Sequence, residues 1–344
     1  MRWENVYVAG IGTYLPDETV TAAEAVADGR YDAANAEASG VRAVRVAADD
    51  EPGPVMAAKA GRLAIERAGV AAEDIDLVLH AYVGHQGQEL WSPAHYVLNE
   101  TVGGRAAAIE LRQGCNGALA ATELAASYLV ARPDTTAALV TTGDAFKLPH
   151  IDRWSADDQT VYGDGGAAIV LSKRGGFARL LATATRSEPS LEPLYRGTEW
   201  TAAPFAEGKP VDLTARKDSW LMRNEDAYDD ALALIGENFA EVLQEALADA
   251  GTTLAETQWF VHANVSRQIA EWGFHKALGL DVSTTPYEWG LDHGHMGNSD
   301  QFMGIDHLIA EGRPKAGDKL VTIGVGIGFM WTVAVLEFTE TPAW

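Results

Sequence analysis

A single cysteine occurs in the 344 residues, and it stands at a turn. The run Ala107-Ala108-Ile109-Glu110-Leu111-Arg112-Gln113-Gly114-Cys115-Asn116-Gly117 reads as strand, tight turn and helix. Ile109 and Leu111 suit a buried strand, and the Ala- and Leu-rich run from Asn116 to Leu129 suits a buried helix. Cys115 therefore falls where a helix begins. The free backbone N–H groups and positive dipole end at such a point stabilise a thiolate. A thiolate is a strong nucleophile and can carry an acyl group as a thioester. The competing reading is a small apolar core residue, the usual fate of a lone cysteine.

A nucleophilic cysteine needs a base, and the base needs an orienting group. Of the nine histidines, His80, His85, His95, His150 and His275 sit in ordinary strand, loop or helix contexts. His262, His293, His295 and His307 remain. Two of these lie in Asp292-His293-Gly294-His295-Met296-Gly297-Asn298-Ser299-Asp300, a polar, glycine-containing stretch ahead of a helical run from Gln301 to Ala310. Across a loop entering a helix, Asp300 can reach the His295 imidazole, fix its tautomer and stabilise its charged form. Asp300 also suits the N-cap of the following helix, and the two roles are compatible.

Two glycine-rich runs flank strands: Tyr162-Gly163-Asp164-Gly165-Gly166-Ala167 before one, and Gly324-Val325-Gly326-Ile327-Gly328-Phe329 after another. Neither has a phosphate loop's lysine or a dinucleotide fingerprint's spacing. They suit close backbone approach, or an N–H aimed at a carbonyl oxygen.

These residues must be positioned by alternating strands and helices, an α/β pattern. Strands are expected at Val6–Ile11, Ile75–Tyr82, Leu139–Thr142, Ala167–Leu171, Phe177–Thr185, Trp259–Val261, Leu320–Val325 and Thr332–Phe338. Helices are expected at Pro54–Ala68, Asp229–Ala250 and Ser266–Leu278, and a capping box at Thr21–Glu24 opens a shorter one. Arg67-Ala68-Gly69 and Asp249-Ala250-Gly251 each end a helix before a short strand, which points to a duplication with its break near Ser172–Gly176. The two halves are then 1–172, holding the cysteine, and 173–344, holding the histidine and aspartate. The segment from Ser187 to Asn224, with Pro189, Pro193, Pro204 and Pro210, lacks periodicity and reads either as a binding loop or lid or as an ordered surface excursion.

Composition narrows the partners. A net charge of -23 argues against nucleic acid and anionic membrane surfaces. No run approaches the roughly 18 apolar residues of a membrane span. One cysteine excludes an intrachain disulfide and, with a first segment unlike a secretory signal, leads us to expect a cytoplasmic protein. No residue pattern calls for a metal ion or a bound cofactor.

Together these segments resemble the ketoacyl synthase III family of the thiolase fold. The resemblance spans essentially the whole chain. It is carried by Ser39-Gly40-Val41-Arg42, Gln113-Gly114-Cys115, the Tyr162–Ala167 run, Val261-His262-Ala263-Asn264, Gly312-Arg313-Pro314-Lys315-Ala316-Gly317 and Gly326-Ile327-Gly328-Phe329-Met330-Trp331. It implies a thiolase-like αβαβα five-layer fold with two duplicated halves, a homodimer, and a cysteine acylated from coenzyme A or an acyl carrier protein. It also implies an oxyanion site at the backbone N–H groups of Cys115 and Ile327.

The departures from the family pattern shape the chemistry. Condensing members pair the cysteine with a histidine opening a His-Gln-Ala-Asn run and an asparagine following His-Gly. Here Val261 takes that histidine's place, and His295 follows His293-Gly294. A gapped alignment instead keeps Asn298 as the asparagine and His262 as a slipped histidine, which leaves a decarboxylating condensing enzyme as the alternative. The ungapped pattern resembles the family's acyltransferase branch, which places malonyl groups on deoxysugars of polyketide antibiotics such as cervimycin. That resemblance implies Cys115, His295 and Asp300 as the catalytic set. It implies an acyl-coenzyme A donor, read as malonyl-coenzyme A, a sugar hydroxyl of a glycosylated polyketide as acceptor, and an ester as product. Arg112 lies near Cys115 and is open as either a carboxylate-binding or a structural residue.

Overall fold

The computed structural model describes residues 1–198, 200, 209–222 and 226–344. Its strands are β1 (Tyr7–Tyr14), β2 (Glu18–Thr21), β3 (Ala43–Val46), β4 (Ile75–Ala81), β5 (Ala107–Leu111), β6 (Ala137–Asp144), β7 (Gly165–Ser172), β8 (Ala178–Ser187), β9 (Trp259–Val261), β10 (Lys319–Gly326) and β11 (Met330–Phe338). Nine of them form one sheet in the order β5-β4-β6-β7-β1-β8-β11-β10-β9, and β2 and β3 form a separate two-stranded antiparallel sheet. Every residue of β6 and β7 is buried, as expected of apolar strands covered on both faces.

One connectivity occurs twice. β1 pairs antiparallel with β7, β7 antiparallel with β6, and β6 parallel with β4. Likewise β8 pairs antiparallel with β11, β11 antiparallel with β10, and β10 parallel with β9. The first set adds β5, parallel to β4. The sets join where Tyr7 and Val8 of β1 meet Arg179 and Ala178 of β8, and a bridge from Arg2 to Ala182 continues the contact.

Helix Gly53–Ala68 covers β1, β6 and β7, and helix Ala227–Ala250 covers β8 and β11. Helices Gly117–Ala131 and Asp300–Ala310 each touch strands of both sets and form a shared middle layer. The layer order is αβαβα. The middle layer is small-residue-rich: Ala118, Ala121, Ala125 and Ala126 are all fully buried. The outer helix Gly53–Ala68 lies unusually close to β1. A Cβ at Gly12 would stand 2.3 Å from the Ala60 carbonyl oxygen, and one at Gly10 2.2 Å from that of Ala64.

Several expectations shift. β5 is an edge strand rather than a buried one, and Ile109 is 51% exposed. Its apolar residues gave no sign that one face lacks a cover. The Ser266–Leu278 helix runs from Arg267 and contains a π-helical segment at Ala270–His275. Helices Ala33–Ser39 and Pro93–Thr101 and the β2–β3 sheet are additions. The capping box at Thr21 and Glu24 forms. Within Ser187–Asn224, Leu191, Leu194 and Leu213 are buried and Leu213–Leu221 is helical. Pro204 and Asn224 lie outside the described residues.

The close helix–strand contact gives a stability test. Gly12→Ala should cost about 1–3 kcal/mol by overpacking against the Ala60 backbone. In urea unfolding this lowers the midpoint at unchanged slope; an unmoved midpoint would show that the helix stands further off.

Candidate active site

Gly114–Asn116 forms a single 3₁₀ turn between β5 and helix Gly117–Ala131, with part-buried Cys115 at its centre. Gly114 has φ +53°, and a Cβ there would stand 2.3 Å from the Ile327 nitrogen. Glycine is thus required both by the left-handed backbone and by the approach of Ile327. Among the described residues no backbone carbonyl accepts the Ile327 N–H.

His295 comes to this turn from the loop before helix Asp300–Ala310. Its backbone is fixed by a bridge to Tyr162: the His295 N–H donates to Val161 O at 2.8 Å, and the Gly163 N–H donates to His295 O at 3.0 Å. A Cβ at Gly163 would lie 2.0 Å from the His293 carbonyl oxygen, so the Tyr162–Ala167 run needs glycine there. Arg42 holds the same loop from outside, with Nε 2.6 Å from Asp292 Oδ1 and Nη2 2.7 Å from Asp292 Oδ2.

The imidazole spans two partners. Nε2 is 2.8 Å from Cys115 Sγ, and Nδ1 is 2.5 Å from Asp300 Oδ2. An ionised carboxylate only accepts, so Nδ1 carries the proton and Nε2 faces the sulfur. Asp300 is buried but amply satisfied. Its carboxylate accepts the Asn264 N–H at 2.7 Å, the Met296 N–H at 2.8 Å and the Asn264 side-chain amide at 3.3 Å. It opens its helix rather than capping it: Ser299 is the cap residue, and the Ser299 hydroxyl pairs with that of Thr142. The Asp300 carboxylate turns back to His295 instead.

Burial disfavours a charged His295 ring. The neighbouring Cys115 and the Asp300 carboxylate outweigh burial and hold His295 well above the ordinary imidazole value. Beside it lies a second buried carboxyl, Asp144, which accepts the N–H groups of Val83 and Gly84. Burial pushes Asp144 up to about 7, against the pull of those N–H groups and of His295, with Asp164 adding to the rise.

The alternative pair is placed differently. His262 Nδ1 donates to Ala263 O at 2.7 Å, which leaves Nε2 to accept from His275 Nε2 at 3.1 Å. The His262 ring stacks on Phe274 with centroids 4.4 Å apart. Asn298 is fully buried, and its carbonyl oxygen accepts the Ala118 N–H at 3.2 Å, in the first turn of the Cys115 helix. Val261 is a fully buried core residue.

A cavity of about 700 Å³ opens beside the Cys115 turn and is lined by Gly114, Ile327 and Tyr162. His85, Tyr195 and Arg216 line it too. Arg112 lines it too and is exposed. Sequence reasoning passed over Asn264 as a holder of Asp300. Its place in the Val261–Asn264 motif was the available signal. Nothing in the sequence marked Tyr195 or Arg216, which come from the irregular segment. Among the described residues no cluster of side chains suits a metal ion, and no helix is long and apolar enough to cross a membrane.

A two-set αβαβα fold with a cysteine at the start of a middle-layer helix defines a thiolase-fold transferase. Models of 3-oxoacyl-[acyl-carrier-protein] synthase III match residues 109–189, and models of its C-terminal part match residues 247–338. A beta-ketoacyl-[acyl-carrier-protein] synthase III of Rhizorhabdus wittichii is 29% identical over 336 residues, covering 96% of this chain and 98% of its own. The solved acyltransferase ChlB3 is 37% identical with TM-score 0.92, over 98% of this chain and 99% of its own. The synthase III structure from Aquifex aeolicus has the same fold at 20% identity and TM-score 0.78, over 97% and 100% of the two chains. The chain belongs to the ketoacyl synthase III-like family.

The buried histidines set an acid response. His262 and His80 are each pushed down to about 4, first by burial, so the folded protein binds fewer protons than the unfolded chain between about 6.5 and 4. Stability therefore falls as pH drops through that window, by on the order of 3 kcal/mol per site. His295 acts oppositely: its contribution is complete below about 6.5 and is lost as pH rises through its raised folded value. His262→Gln should flatten the fall in melting temperature between pH 7 and 5; an equally steep fall would remove His262 as a source.

Proposed function

We propose that this protein is an acyltransferase that forms an ester through an acyl-cysteine. The observation that carries this is the His295 ring held between Cys115 Sγ and the Asp300 carboxylate. In the first half-reaction His295 Nε2 takes the thiol proton and Sγ attacks the carbonyl of an acyl thioester. Charge developing on that oxygen meets the N–H groups of Cys115 and Ile327. The tetrahedral intermediate expels the donor thiolate, which takes its proton from His295. In the second half-reaction His295 takes the proton of an acceptor hydroxyl. The alkoxide attacks the acyl-cysteine, an ester leaves, and Sγ is restored. Asp300 holds the tautomer and favours the imidazolium formed in each step.

One feature supports ester formation over decarboxylating condensation: Val261, a fully buried core residue, offers no donor where condensing members have a histidine. We read the donor as malonyl-coenzyme A, with an acyl carrier protein as a second possible carrier, and the acceptor as a sugar hydroxyl on a glycosylated polyketide. The printed acyltransferase name of ChlB3 supports the transfer. The reading includes a homodimer, because β5 leaves an open edge and exposed Ile109.

Incubation with malonyl-coenzyme A should add an intact malonyl group, read by mass, that is absent in Cys115→Ala. An acetyl-sized adduct would instead favour decarboxylating condensation, and no adduct would overturn this donor. Asp300→Asn should slow transfer by about 10³-fold or more while leaving the fold intact. A change within a few-fold would deny Asp300 its orienting role.

A further inference from the structure

Arg216 projects from helix Leu213–Leu221 into the wall of the cavity that opens beside Cys115. This helix belongs to the irregular segment, yet it is bolted to the cysteine half. The Leu213 N–H donates to Ala156 O at 2.7 Å, and the Asp158 N–H donates to the Thr214 hydroxyl at 2.9 Å. Lys217 binds Asp157 at 2.8 Å and Asp158 at 2.9 Å. Leu213 packs in one apolar cluster with Phe146 and Tyr162. Arg216 is therefore presented by a fixed element rather than by a loose arm.

The acids nearest in sequence contact, Asp157 and Asp158, are taken by Lys217. Arg216 spends one donor, Nη1, on the Tyr195 carbonyl at 3.3 Å. Among the described residues it has no carboxylate partner, in a chain with 49 acidic and 26 basic side chains. Among the described residues the one acid lining the cavity, Glu89, is 81% exposed and faces His85. A guanidinium has five donors in a fork that matches a carboxylate. Tyr195, whose carbonyl anchors Arg216, is half-buried and lines the same cavity, and its phenol is raised by burial and by the charges of Asp157 and Cys115. Arg112 is exposed and lies at the end of the strand, so it suits the approach of a donor better than the acyl group itself.

We propose that Arg216 binds a free carboxylate at the far end of the acyl group, making this a site for dicarboxylic monothioesters; this rests on the acyl-cysteine reading above. The guanidinium pairs with that carboxylate while the thioester carbonyl lies at Cys115. An acyl group ending in a methyl leaves Arg216 unpaired and gains nothing from it. Selection thus acts at formation of the acyl-enzyme.

The test compares rates of Cys115 acylation by malonyl-coenzyme A and acetyl-coenzyme A, followed by intact mass, in wild type, Arg216→Met and Arg216→Lys. Wild type should prefer malonyl. Arg216→Met should slow malonyl transfer roughly 30-fold or more, with the acetyl rate within about 3-fold, and Arg216→Lys should recover part of the loss. Equal losses for both donors, an unchanged malonyl rate, or a wild-type preference for acetyl would each overturn the Arg216 assignment while leaving the acyl-cysteine intact. No adduct on wild type with either donor would instead sink the acyl-cysteine reading, and this assignment with it.

Discussion

The contact on which this structure depends is the 2.8 Å approach of His295 to Cys115, residues 180 apart in the chain. Each stands just ahead of a middle-layer helix, one from each copy of the repeated connectivity. Two helix N-termini must therefore meet face to face across the centre of the molecule. Three tight approaches make that possible. Gly114 admits the Ile327 backbone, Gly163 admits the His293 carbonyl, and Gly117 admits Asn298. A side chain at any of them would force the two elements apart by a distance larger than a hydrogen bond tolerates.

Burial sharpens the chemistry of this contact. Asp300 is a carboxylate with almost no exposed surface, a costly arrangement unless it is fully hydrogen-bonded. Two backbone N–H groups, the Asn264 amide and the His295 ring satisfy it. The carboxylate then has a fixed direction, and so does the ring that it holds. Asp144, the second buried carboxyl beside this contact, is pushed up to about 7 by burial.

Other buried polar groups at this depth hold the frame. His262 and His275 satisfy one another against Phe274, and Asn298 ties the loop before its own helix to the first turn of the cysteine helix. Arg153 and Asp164 form a buried ion pair, and Asp164 also accepts the N–H groups of Ala47 and Phe146. That pair fixes the Tyr162 strand on which His295 is hung. The His262–His275 and Arg153–Asp164 pairs spend their hydrogen bonds inside the protein.

Local sequence determined the elements and much of the proposed reacting set. The apolar runs, the helix-ending glycines and the cysteine turn are short-range signals, because they depend on neighbours a few residues away. His295 and Asp300 were legible for the same reason: one loop entering one helix carries both. Family resemblance then supplied Ile327 and the five layers. What only the tertiary structure decided came from pairings across the chain. The open edge of β5 depends on which strands exist to cover it, and the placing of His262 depends on His275 and Phe274. Arg216 reaches the cavity only because Lys217, Thr214 and Leu213 fasten its helix to residues 156–158 of the other half. Those contacts link segments about 60 residues apart, and nothing in either segment alone specifies the other.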